Sequence, residues 1–178
     1  MITITIGGPP GSGTTTIAEM LAERLECKYI YTGDIFRELA KKRNMSLSDF
    51  GDYAEHHPEI DAELDERQLE LARAGNIILE GRVAGWIVWK NHIESFRIWL
   101  DATLDVRAER VWKREGKEKE TVLWEIKERE DSEHARYQTL YNFDLADMSF
   151  YDMIINSGPL TPEQICDRIM TELKSSER

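Results

Sequence analysis

Ile2-Thr3-Ile4-Thr5-Ile6-Gly7-Gly8-Pro9-Pro10-Gly11-Ser12-Gly13-Thr14-Thr15-Thr16 is the stretch from which the fold can be read. Its first five residues are all β-branched and predict a short strand. Beyond the loop, Ile17, Met20, Leu21 and Leu25 recur at helical spacing, so a helix follows. Strand, glycine-rich loop and helix together form the setting of a phosphate-binding loop. Gly8 and Gly13 take the glycine positions of the pattern G-x-x-x-x-G-K-[ST], and Thr15 takes the hydroxyl position. Thr14 stands where the lysine belongs, so one ammonium against the β- and γ-phosphates is missing. The rest of the logic survives. Glycines permit positive φ and let backbone N–H groups converge on an anion. The helix adds its unpaired first-turn N–H groups and the positive end of its dipole. Gly7 through Thr16 are therefore the candidate nucleotide-phosphate cradle, with Thr15 the candidate Mg²⁺ ligand. The plainer reading is a Gly/Pro turn that merely joins a strand to a helix.

Outward from this loop the chain alternates strands and helices. Lys28-Tyr29-Ile30-Tyr31 reads as a second strand that ends at Thr32-Gly33-Asp34, a helix start with Thr32 or Asp34 as cap. In α/β sheets ligands bind beyond the carboxyl ends of the strands, so Asp34 and Arg37 are expected to face a site there. From Lys41 to Gly75 the pattern is helical, with a start near Ser46, a break at His57-Pro58 and a stop at Gly75-Asn76. The carboxylates Glu55, Glu59, Asp61, Glu63, Asp65 and Glu66 are expected on a solvated face. Ile77-Ile78-Leu79 is a short apolar run fit for a buried parallel strand. It ends at Glu80-Gly81-Arg82. There Glu80 can polarise a Mg²⁺-bound water or fix the loop, and Arg82 can hold a phosphate bidentately; the alternative for Arg82 is a surface ion pair.

Phe96-Arg97-Ile98-Trp99-Leu100 predicts a fourth strand, and the helix after it carries Arg107, Arg110 and Arg114 on one face. Lys113 to Glu130 is dense in charge, which fits either a solvated helix or a movable lid. Arg129 and Arg136 lie two helical turns apart on one side and are the main lid candidates. Phe150 to Asn156 predicts the last strand, and Thr161-Pro162-Glu163-Gln164 spells a capping box for a final helix.

The bulk numbers fit a single domain. The 178 residues are 41% hydrophobic and 32% charged, and 34 acidic residues against 23 basic ones leave a net charge of −11. Acidity of this size argues against a nucleic-acid surface, which needs clustered Lys and Arg. No apolar run approaches a membrane span, and no basic segment followed by an apolar one opens the chain, so the expected location is the cytoplasm. Cys27 and Cys166 are far apart and are expected as buried free thiols.

Taken in order, Gly7–Thr16, Thr32–Arg37, Tyr53–Glu55 with Pro58–Asp61, Leu79–Arg82, Trp99 to Arg107 and Tyr151 to Asn156 resemble the nucleoside monophosphate kinases, most closely the archaeal-type cytidylate kinases. The resemblance spans nearly the whole chain. It implies an α/β, three-layer P-loop kinase fold with a five-stranded parallel sheet. A helical NMP-binding insert near 34–75 and a lid near 113–136 would both belong to one kinase domain. It implies transfer of phosphate from ATP, with Mg²⁺, to CMP or dCMP. Carried over by position, Arg37 and Arg82 would grip the acceptor phosphate, Asp34 would position the acceptor, and Arg110, Arg129 and Arg136 would neutralise the moving phosphoryl group. The implied partners are small-molecule nucleotides, with no nucleic acid, no membrane and a monomeric state. Two other readings stand beside this one: a kinase for AMP, UMP or a shikimate-like acceptor, and a catalytically silent nucleotide-binding module.

Overall fold

The structure is a computed structural model that describes residues 2–176; the side chains of Leu47, Ser48, Glu55 and Ser176 lie outside the description, and with Glu55 one of the carboxylates expected on a solvated face. Five strands form one sheet: β1 (Thr3–Gly7), β2 (Lys28–Tyr31), β3 (Ile77–Glu80), β4 (Ser95–Asp101) and β5 (Met153–Asn156). Their order is β2-β3-β1-β4-β5, and every pairing is parallel. Register places Ile6 of β1 between Glu80 of β3 and Ile98 of β4. The helices are α1 (Thr14–Leu25), α2 (Thr32–Lys42), α3 (Leu47–Glu55), α4 (Pro58–Ala74), α5 (Ala84–Lys90), α6 (Leu104–Glu115), α7 (Lys119–Tyr141) and α8 (Pro162–Ser176).

The sheet is the middle of three layers because its central strands are apolar on both faces. Ile4, Ile6, Ile78, Ile98 and Leu100 point into one cluster with Ile17 and Leu21 of α1 and Ile165 and Ile169 of α8. Ile77 and Leu79 point the other way, toward Ala84 of α5 and Leu71 of α4. Each such side chain, fully buried, contributes about 1.5–3 kcal/mol. Smaller clusters hold the remaining helices together. Leu39, Phe50, Ala54 and Ile60 join α2, α3 and α4, and Ala108, Val111, Val122 and Ile126 join α6 to α7.

Local chemistry sets most boundaries where the sequence puts them. Ser46 Oγ accepts the Asp49 N–H at 3.1 Å, Pro58 opens α4, and Thr161 and Gln164 exchange the two bonds of a capping box. Two expectations need correction. Neither Thr32 nor Asp34 caps α2, because β2 runs straight into the helix with Tyr31 still extended at φ −92°. The Thr32 side chain packs against Gly81, where an added Cβ would lie 2.6 Å from its hydroxyl, and Asp34 pairs with Arg37 in the first turn. The last strand is also shorter than predicted. Phe150 and Tyr151 turn onto aromatic neighbours, with Phe150 stacked on Trp89 and Tyr151 tilted against Trp99, so pairing begins only at Met153. Of the two free thiols, Cys166 is buried and Cys27 only half-buried, at the rim of the same core.

Candidate active site

The carboxyl ends of β1 and β3 open into a cleft of about 550 Å³. Its floor is the loop between β1 and α1. Gly11 and Gly13 adopt φ of 82° and 99°, which only glycine takes without strain. Gly8 passes so near the end of β4 that a Cβ would sit 2.4 Å from the Leu100 carbonyl oxygen. The loop's outer carbonyls are held from behind by two arginines of α6. Arg107 donates to Pro10 O at 3.1 Å and Ala102 O at 3.0 Å, and Arg110 donates to Ser12 O at 3.1 Å. Ser157, just past β5, closes this back wall by donating to Ser12 O at 2.7 Å and accepting from Arg110 at 2.9 Å. Within the loop Ser12 N–H donates to Pro9 O at 3.1 Å; the first-turn N–H groups of α1 have no intrahelical partner and are the donors a helix start offers an anion.

Glu80 ends β3 beside this floor, only 4% exposed. Thr15 Oγ1 donates to it at 2.8 Å, and the Tyr29 hydroxyl donates to its other oxygen. Burial, and then this carboxylate, push the Tyr29 phenol well above its ordinary value, so it stays a donor. A hydroxyl and a carboxylate side by side at a phosphate cradle are the hard oxygen donors that suit Mg²⁺ in such loops. Among the described residues no cluster of three or more His, Cys, Asp or Glu side chains is placed to cage a metal.

The far wall is basic, and every cation on it is paired. Arg82 meets Glu133 of α7 at 2.8 Å, with both side chains largely buried, and burial lowers its guanidinium below the ordinary value. Arg129 pairs with the same Glu133 at 2.8 Å, and Arg136 pairs with Asp61 of α4 at 2.6 Å. Arg82, Arg129 and Arg136 thus line the one cleft with the P-loop, Thr14 and Thr15.

The other predicted residues lie elsewhere. Arg110 faces a smaller hollow of about 330 Å³ behind the loop, shared with Thr16, Arg114 and Leu160. Asp34 and Arg37 pair with each other at 2.6 Å on the exposed side of α2, and neither lines the cleft.

Sequence reasoning missed the α4 wall. Asp61 is 8% exposed and Gln68 5% exposed, so the expectation of a fully solvated acidic face is corrected at this point. Helix α7 covers that face. Arg136 pairs with Asp61, and the Tyr141 hydroxyl donates to Asp65 at 3.0 Å. Burial raises the Asp65 carboxyl to about 6. The spacing Asp61, Asp65, Gln68 is i, i+4, i+7, one stripe of a helix, and that was the available signal.

Residues 3–159 match the cytidylate kinase-like family. The chain belongs to that family. A cytidylate kinase of Methanocaldococcus jannaschii is 46% identical over 98% of this chain and 99% of its own length. One of Pyrococcus horikoshii is 50% identical over 92% of this chain and 84% of its own length. Among solved structures, an uncharacterized protein from Eubacterium ventriosum matches with a TM-score of 0.76 at 20% identity, covering 98% of this chain and 99% of that one. A shikimate kinase from Bacteroides thetaiotaomicron matches at 0.62 and 17% identity, covering 97% and 98%. At such identities these two likenesses speak for the fold, a P-loop kinase arrangement. A place in the cytidylate kinase-like family makes this chain a nucleotide-binding kinase. No helix among the described residues is long and apolar enough to cross a membrane.

Proposed function

We propose that this chain transfers the γ-phosphoryl group of ATP to CMP or dCMP, giving ADP and CDP or dCDP. The observation that carries the reading is a single cleft with an anion cradle on one side and Arg82, Arg129 and Arg136 on the other. Relatives named cytidylate kinase at 46% and 50% identity supply the acceptor.

The donor's polyphosphate lies along the loop from Gly8 to Thr15, and its base enters the hollow between Arg110, Arg114 and Leu160. The acceptor's phosphate takes Arg82 away from Glu133, and incoming phosphates likewise compete for Arg129 and Arg136. An acceptor phosphate oxygen then attacks the γ-phosphorus in line, a new P–O bond forms, the bond to the β-bridging oxygen breaks, and ADP leaves. Such transfer depends on positioning and charge neutralisation rather than on covalent help from the protein. Thr15 and Glu80 are the residues placed to hold Mg²⁺ directly or through water. Mg²⁺ held there would supply positive charge against the donor phosphates. Helices α2 to α4 form the acceptor-binding insert, and the end of α6 with α7 forms a lid that closes to exclude water. In this reading one kinase domain acts as a monomer on cytoplasmic nucleotides.

Release of ADP, followed with CMP, dCMP, UMP, AMP and shikimate as acceptors, tests the reading. CMP and dCMP are expected to give the highest kcat/KM. Equal or faster turnover of AMP or shikimate would overturn it, and tight ATP binding with no turnover on any acceptor would leave a silent binding module.

A further inference from the structure

The α4 wall carries an arrangement that phosphate binding does not use. Gln68 is buried, lines the cleft, and its Oε1 has no hydrogen-bond partner. Its Nε2 is held only by long contacts, 3.4 Å to Leu64 O and 3.5 Å to Asp65 Oδ1. Leaving such an amide half-satisfied costs about 1–3 kcal/mol, and at the wall of a cleft an incoming ligand can supply the missing bond. One turn back on the same stripe sits Asp65, fixed by Tyr141. Phe36, Leu64 and Tyr137 supply flat and apolar surface around these polar groups.

We propose that Gln68 and Asp65 read the amino edge of the acceptor's pyrimidine and so separate a 4-amino ring from a 4-oxo ring. This rests on the cytidylate kinase reading above and names the residues that give it a base. A 4-aminopyrimidine offers two N–H donors on its exocyclic nitrogen and an acceptor at ring N3. Gln68 Oε1 accepts one of those hydrogens, and Gln68 Nε2 gives up its long contacts to donate to N3. The Asp65 carboxylate accepts the second hydrogen. A 4-oxo ring turns a carbonyl oxygen toward the same site. The Gln68 amide can flip to suit it, but an ionised Asp65 cannot become a donor. Discrimination therefore lies chiefly with Asp65, and affinity with Gln68. A site built to bond a substrate N–H rejects the analogue lacking it far better than a merely apolar pocket does.

The experiment measures kcat and KM for CMP and UMP, at saturating ATP, in the wild type, Asp65→Asn and Gln68→Met. ATP binding by calorimetry reports the fold of each variant. Asp65→Asn is expected to narrow the CMP:UMP ratio of kcat/KM at least about tenfold, because an asparagine amide can donate to the 4-oxo group. Gln68→Met, close in volume, is expected to raise KM for CMP about 10- to 100-fold with a much smaller change in kcat. If both variants bind ATP and keep the wild-type CMP:UMP ratio, the proposal is overturned while the cytidylate kinase reading stands. If the wild type itself does not prefer CMP, that reading and this proposal fail together.

Discussion

Thr14 occupies the place where a P-loop ordinarily offers an ammonium to the phosphates, and it lines the same cleft as Arg129. Arg82, Arg129 and Arg136 line that cleft, and a dependence on them is the expectation to test. Adding the ammonium back tests that dependence. Arg129→Ala is expected to lower kcat about 10²–10³-fold, on the scale of one lost transition-state contact, and Thr14→Lys in that background should restore part of the loss. No recovery would remove Arg129 as the substitute. Asp65 makes a prediction of a different kind. Its carboxyl holds a proton up to about 6 in the native state against 3.8 ordinarily, because it is buried. Asp61 on its own helix and Arg136 and Tyr141 from α7 complete its surroundings. The folded form therefore binds the extra proton between those values, and ionisation weakens the fold as pH rises through that window. Asp65→Asn should gain at most about 3 kcal/mol at pH 8, and the gain should vanish near pH 4 in urea midpoints. The glycines, the hydroxyls and Arg82 were legible because short motifs carry their chemistry in sequence. Asp61, Asp65 and Gln68 were hidden because a carboxylate stripe looks solvated until a second helix, 75 residues away, is laid across it.

Helix α6 does more than connect β4 to α7. Arg107, buried at 7% exposure, donates to the P-loop at Pro10 and meets Glu130 of α7 at 2.8 Å, so one side chain ties that loop to α7. Replacing Arg107 by Met strands Glu130 and frees the Pro10 carbonyl. The expected loss is about 2 kcal/mol, below the 3–5 typical of a broken buried pair, because Glu130 is a third exposed and can rehydrate. KM for ATP should rise more than KM for CMP, and Glu130→Gln, which keeps an acceptor, should cost under about 1 kcal/mol. Equal effects on both substrates would mean that the tie does not shape the cradle. Helix existence was legible from spacing and caps, as Ser46, Pro58 and Thr161 attest. The start of α2 was not, since Thr32 looks like a cap and is instead wedged against Gly81, a neighbour 49 positions on. Spacing placed Arg107, Arg110 and Arg114 on one face, but which of them would hold the loop and which would meet a ligand depends on where β5 ends and Ser157 turns.

At the scale of the molecule, the main core lies between the sheet and α1 and α8; α2–α3 and the α6–α7 contact keep small clusters of their own, while the second half of α7 packs through Tyr137 and Tyr141 on the Trp86 cluster of α5. Regions joined to the rest by few apolar contacts open at lower free energy than the core. Amides of α3 and the first half of α7 should therefore exchange faster than those of β1 and β3, and a non-reactive ATP analogue with CMP should slow that half of α7 selectively. Unchanged protection of α7 would sink the lid reading. ATP at a hundredfold excess over its dissociation constant should add about 2.7 kcal/mol to global stability. The parallel sheet was legible as a class from its apolar runs, but its strand order was not, because pairing is written in no single segment.

That order has a consequence for synthesis. The middle strand of the sheet, β1, is the first to leave the ribosome, yet its neighbours begin only at Ile77 and Ser95. At about 5–20 residues per second, an isoleucine-rich ribbon with both hydrogen-bonding edges bare waits several seconds for a mate. Nascent chains stalled before residue 77 should lean on holdase chaperones, and those stalled well past residue 101 should let them go.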